Sequence, residues 1–206
     1  MTKEVSPRMC RGVCVKRLTN GYGKRDNAFT LIELLVVVGI IAILSALVLT
    51  TVGYARKKAA RARAETEIAA MSAACESYKA DNGIYPREAA STDALNAKLS
   101  GDPSGYQTAS LYLYKTLSGD SAADRNPTGK SYMVFKPNML LPPGGTGTVT
   151  AIADPFGSSY GYSTANQADP TKGYNPTFDL WSTSGLTSNP PGTGTDTITP
   201  QWIKNW

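Results

Sequence analysis

The 206-residue sequence predicts an α+β chain: one long N-terminal helix, half apolar all round and half amphipathic, packed on a small antiparallel β-sheet. Three observations predict it. Leu34 to Ala55 contains no charged residue. After Pro7 no proline occurs until Pro86, so nothing in between breaks a helix. From there onward glycines and prolines punctuate short apolar runs, the pattern of strands joined by turns.

The elements follow in order. Residues 1–28 form a basic leader, with Lys3, Arg8, Arg11, Lys16, Arg17, Lys24 and Arg25 against Glu4 and Asp26. The leader alone accounts for the net charge of +5, and residues 29–206 are formally neutral. Residues 29–55 form the apolar half of the helix, long enough to span, since about 20 apolar residues cross a bilayer. Residues 56–82 continue it: behind the basic cluster Arg56, Lys57, Lys58, Arg61 and Arg63, the residues Ile68, Met71, Cys75 and Tyr78 share one face. Asn82-Gly83 is the expected stop, because both residues tolerate the left-handed conformation of a helix C-terminus. A helix over 29–81 would be about 80 Å long at ~1.5 Å per residue.

Residues 83–130 read as a connecting region, with short helices between 91 and 118 and an apolar strip of Leu111, Tyr114 and Leu117. Residues 131–206 read as the antiparallel sheet with C-terminal loops. Strands are expected at 131–136, 148–153, 178–182 and 198–202, with a further one following Asp154–Tyr162.

Composition argues against catalysis. The sequence holds no histidine, so no Ser-His-Asp or Cys-His nucleophile system and no His-containing zinc site can be built. Cys10, Cys14 and Cys75 are too few for a disulfide framework, and Cys75 reads as core packing. Gly129-Lys130-Ser131 imitates the end of a phosphate-binding loop, but Asp124 stands where that pattern requires glycine. The Gly-rich stretch 142–148 lacks dinucleotide-binding spacing. Once the leader is set aside no nucleic-acid signal remains, and the Arg56–Arg63 cluster lies beside the membrane, where headgroups or neighbouring acids suit it better. Positive charges, seven before the span and five after it, favour a cytoplasmic leader by a narrow margin.

Glu33 is the physical oddity, since a carboxylate one turn inside a spanning segment costs roughly 2–3 kcal/mol unless interfacial or paired. Read alone, it is an interfacial acid stabilising the helix N-terminus. With its neighbours it says more. The junction AFTLIELLVVVGIIAIL, Ala28 to Leu44, resembles the cleavage and methylation motif of type IV prepilins and pseudopilins. Asp81–Pro86 (DNGIYP) and Asp154–Tyr162 (DPFGSSYGY) resemble turns of the major pseudopilin of type II secretion systems.

The resemblance implies a pilin-like fold and a bacterial inner-membrane protein that crosses once, leader cytoplasmic and C-terminal domain periplasmic. A prepilin peptidase/methyltransferase would cut between Ala28 and Phe29 and methylate Phe29. Ala28 stands where the family usually has glycine; as the smallest replacement it is expected to permit cleavage. Glu33 would neutralise the neighbouring subunit's amine during assembly of a homo-oligomeric filament, with an inner-membrane assembly platform and minor pseudopilins as further partners. The expected function is therefore structural: a pseudopilin of a type II secretion pseudopilus, supporting protein export. The alternatives are a type IV pilin or minor pilin serving adhesion, motility or DNA uptake, or a membrane-anchored binding module using Tyr160, Tyr162, Tyr174, Trp181, Trp202 and Trp206. No cofactor is expected. The family's calcium loop is reduced here to Asp196, a candidate for weak calcium binding only, because affinity follows carboxylate count.

Overall fold

The computed structural model describes residues 30–187 and 199–206. The chain divides into two compact units, Met1–Leu47 and Val48–Trp206. Helix α1, Leu31–Asn82, belongs partly to each. In the first unit its large apolar side chains are 50–82% exposed, and the helix is long and apolar enough to cross a membrane. The fold class is α+β, a long N-terminal apolar helix with a small antiparallel sheet, consistent with a pilin-like fold.

Within the second unit the amphipathic part of α1 buries Ala64, Ile68, Met71, Ala74 and Cys75, with Tyr78 packed at the edge. Full burial of a side chain the size of Ile68 or Met71 is worth about 1.5–3 kcal/mol. The helix ends as expected: Gly83 takes φ +80 and its N–H donates to the Lys79 carbonyl at 2.7 Å. Past a 3-10 turn, Pro103–Tyr106, runs α2, Gln107–Ser118. The strip expected on this helix is partly corrected. Its buried face is Ala109, Ser110, Leu113, Tyr114, Leu117 and Ser118, whereas Leu111 is only half-buried. Rows at i and i+4 reach the core, and Leu111 falls beside them. The stretch before Pro103 forms turns rather than a further helix.

Among the described residues five short strands make two sheets. β1, Leu140–Leu141, pairs antiparallel with β2, Ala151–Ile152. β3, Gly161–Ser163, β4, Asp179–Ser182, and β5, Ile203–Lys204, form the second sheet in that order, all antiparallel. A four-residue helix, α3, Ala165–Ala168, follows β3. Tyr160, Tyr162, Phe178, Leu180 and Ile203 meet the buried face of α1 in the main core. Trp181, Trp202 and Tyr106 form a satellite core, with Trp181 and Trp202 stacked at 5.9 Å.

Three expected strands need correction. Residues 131–136 form no strand. The C-terminus of α2 captures the chain instead: Thr128 and Gly129 donate to the Gly119 carbonyl, and Tyr132 and Met133 to that of Leu117. Gly119, at φ +75, allows the approach, because a Cβ there would lie 2.7 Å from the backbone of Gly129 and Lys130. The expected strand at 148–153 shortens to β2. The one at 198–202 is displaced: Thr199–Gln201 is a 3-10 turn, and pairing starts at Ile203. Pro200 has no N–H to give a ladder.

Buried Asp120 organises the loop after α2, accepting from the Tyr114 hydroxyl at 2.8 Å and the Arg125 and Asp124 amides at 2.7 and 3.3 Å. Desolvation pushes its carboxyl up, but the Tyr114 hydroxyl and the amides of Arg125, Asp124 and Ala123 outweigh that and hold it below the ordinary carboxylate range. Its folded pKa being lowered, its stabilisation is present in full above the unfolded value near 3.8 and is lost as pH falls through the folded value. Asp120→Asn is therefore expected to cost about 1–3 kcal/mol at neutral pH. The gap to the native chain should narrow under acid, as read by unfolding midpoints in detergent between neutral and strongly acidic pH.

Candidate functional site

The site expected from sequence is the start of α1. Thr30 precedes the first helical residue and Glu33 is the third residue of the helix. The Glu33 carboxylate accepts from the Thr30 backbone N–H at 2.9 Å and from its hydroxyl at 2.7 Å. The Glu33 N–H returns a bond to the Thr30 hydroxyl oxygen at 3.3 Å. This reciprocal arrangement is a capping box, which satisfies two donors that the helix itself leaves open. The sequence expectation gives Thr30 no role, yet its spacing to Glu33, Thr-x-x-Glu before an apolar run, is the signature of such a box. Ala28 and Phe29 lie outside the described residues, as do Cys10, Cys14 and Asp196.

Two turns secure the spine to the sheet. In the first, at 81–86, Tyr85 donates to Glu76 at 3.0 Å and meets Phe178 edge-on at 5.1 Å. Tyr162 in β3 donates to the Pro86 carbonyl at 2.7 Å. In the second, at 154–162, Asp154 Oδ1 accepts from the amides of Phe156 and Ser158 at 3.0 and 2.8 Å, and its Oδ2 accepts from the Ser182 hydroxyl at 2.6 Å. Burial raises the Asp154 carboxyl above its usual range despite these bonds, and the Glu67 charge adds to the rise. Gly161 then passes under the Trp181 ring, where a Cβ would lie 2.2 Å from Cε2. Tyr160 donates to Glu67 on α1 at 2.8 Å, and Arg63 holds the other Glu67 oxygen at 2.7 Å. The buried Tyr160–Glu67 bond, with exposed Arg63 at its outer end, ties sheet to spine through a group that neither motif contains.

Cys75 lies fully buried, and desolvation pushes its thiol up to about 12, so it packs as a small apolar group at neutral pH. Of the six aromatics that a ligand grip would use, Tyr160, Tyr162, Trp181 and Trp202 are buried in the two cores, whereas Tyr174 and Trp206 are half-buried and stacked at 4.6 Å. The described part of the C-terminal loop, 183–187, has no carboxylate. Among the described residues there is no group of three or more Cys, Asp or Glu that could hold a metal ion, and the calcium candidate Asp196 lies outside them.

The comparisons agree with this layout. Residues 23–49 match the family model of the prokaryotic N-terminal methylation motif. Residues 51–138 match that of type II secretion system protein G. The chain is 32% identical over 117 residues to type II secretion system core protein G of Aeromonas hydrophila, covering 57% of this chain and 78% of that protein. It is 30% identical over 127 residues to the core protein G of Vibrio cholerae, covering 61% of this chain and 77% of that protein. With the core protein G of Pseudomonas aeruginosa it shares 40% over 80 residues, 39% of this chain and 56% of that protein. No solved structure matches the chain. An N-terminal methylation motif, an uncovered apolar helix and these relatives lead to one assignment: the chain belongs to the type II secretion system protein G family, the major pseudopilins, filament subunits that support protein export.

Proposed function

We propose that this pseudopilin is cut between Ala28 and Phe29 by a prepilin peptidase, methylated on Phe29, and assembled into the pseudopilus through Glu33. The observation that carries the reading is the capping box: it holds the Glu33 carboxylate one turn from the end that cleavage would create. An ammonium group of an adjacent subunit entering there would find a fixed acceptor. Two charges that are costly apart in an apolar bundle would neutralise each other. The apolar segment 29–55 anchors the subunit in the inner membrane, residues 1–28 stay cytoplasmic and are removed, and residues 56–206 face the periplasm.

Filament growth would then bundle these apolar segments, exchanging lipid contact for helix packing in which Gly39, Ser45 and Gly53 permit close approach. The inner-membrane assembly platform and minor pseudopilins are the proposed partners in that step. Intact-mass and N-terminal sequencing of the membrane-extracted protein test the processing. The expected product starts at N-methyl-Phe29, and a mature chain starting at any other residue would refute the reading.

A further inference from the structure

A cavity of about 620 Å³ opens within the second unit, between α1 and the C-terminal part of the sheet. Its helix wall is Tyr54, Lys57, Lys58 and Arg61, spaced i, i+3, i+4 and i+7 and hence on one face. Its other wall includes the half-buried side chains of Phe156 and Leu186. Arg61 ties the walls together, donating to the Gln201 carbonyl at 2.9 Å while pairing loosely with Glu65 at 3.5 Å. Lys57 and Lys58 are exposed, and among the described residues neither has an ion-pair partner.

We infer that this cleft is a binding site for one anionic phospholipid, its phosphate held by Lys57, Lys58 and Arg61 and its glycerol and upper acyl carbons lying on Tyr54, Phe156 and Leu186. The inference rests on the reading that the apolar run spans the membrane. Tyr54 is the next-to-last residue of that run, and aromatic rings of this amphipathic kind settle at the headgroup level. From Tyr54 the helix rises about 4.5 Å to Lys57, about 6 Å to Lys58 and about 10 Å to Arg61, against roughly 5–8 Å for one headgroup layer, so the two lysines lie within that layer and Arg61 just beyond it. The lysines thus stand where phosphates lie. A protein carboxylate would satisfy the lysines equally well, but it would leave the apolar wall of the cleft without a matching group. A diacyl lipid covers both.

The test uses the full processed chain, purified in neutral detergent and titrated with phosphatidylglycerol or phosphatidylcholine of the same acyl chains, with bound lipid counted by native mass spectrometry. Phosphatidylglycerol is expected to bind preferentially. Lys57→Gln with Lys58→Gln should lower that preference by about 25-fold, at about fivefold for each basic group. Leu186→Asp should lower it too, and Arg56→Gln, a cation of the same cluster outside the cleft, should leave it within about twofold. Equal loss with Arg56→Gln would mean diffuse surface charge and overturn the site, as would the absence of any preference. Displacement of the lipid by excess glycerol phosphate would identify a free phosphate as the occupant. Altered self-association of the lysine variants with unchanged lipid binding would identify a second subunit; either result overturns the proposal. Failure of the native chain to enter phosphatidylcholine vesicles at all would instead refute the membrane-spanning reading.

Discussion

Cells carrying Glu33→Ala are expected to make, insert and cleave the protein normally and yet to assemble no pseudopilus. The carboxylate has one role within the subunit and a second, proposed one between subunits. Within the subunit it closes the capping box with Thr30, worth about 0.5–2 kcal/mol to the start of the helix. Between subunits it would neutralise an amine brought into the apolar bundle. Leaving that amine unpaired costs about 3–5 kcal/mol per contact, more than about a hundredfold in each association step. The second term dominates, and it repeats at every subunit added. Glu33→Gln separates the two, because glutamine can close a capping box but carries no charge. Filaments sheared from cells and quantified by immunoblot should be absent for both variants. Normal filaments from Glu33→Gln would assign the residue to the cap alone.

Gly161→Ala should produce the largest loss of stability from a single added methyl group. The new Cβ would lie 2.2, 2.4 and 2.7 Å from three atoms of the Trp181 indole. The ring cannot step aside, since it is fully buried, stacked on Trp202 and meets Tyr106 edge-on at 5.2 Å. Overpacking of this severity costs about 3 kcal/mol, which lowers the unfolding midpoint of a chain this size by about 6–12 °C. Thermal unfolding in detergent measures it. In a Trp181→Ala background the same substitution should cost little, because the obstructing ring is gone. Additive losses would show that backbone freedom at Gly161, and not ring clearance, is what the position requires.

The spine was legible in the sequence because its determinants are local. A charge-free run, a 3.6-residue periodicity through Ile68, Met71, Cys75 and Tyr78, and an Asn-Gly stop place α1 within a residue or two of where it lies. The sheet was less legible for the converse reason. Residues 131–136 alternate as a strand should, and Met133 and Phe135 do pack on the core, but no strand arrives to pair with them. The carbonyl ends of α2 take the Tyr132 and Met133 amides first, and Val134 is left 85% exposed. β1 went unread because a two-residue strand carries no periodicity.

At the candidate site the division is similar. The junction residues announced themselves by type and spacing, and Thr30 is legible from the same junction, Ala28 to Leu44. The Glu67–Tyr160 tie and the lysine-lined cleft could not. Glu67 and Tyr160 stand 93 positions apart, and nothing near either residue indicates that they meet.

By itself the sequence determined the charge-free segment, the spine helix, the processing motif and the family turns, all of which depend on residues within a turn or two of each other. The tertiary structure decided which extended segments become strands, why glycine is needed at 161, and what the basic cluster beyond Tyr54 faces. Those outcomes depend on competition for backbone hydrogen bonds and on space between elements distant in the chain. No local pattern encodes either one.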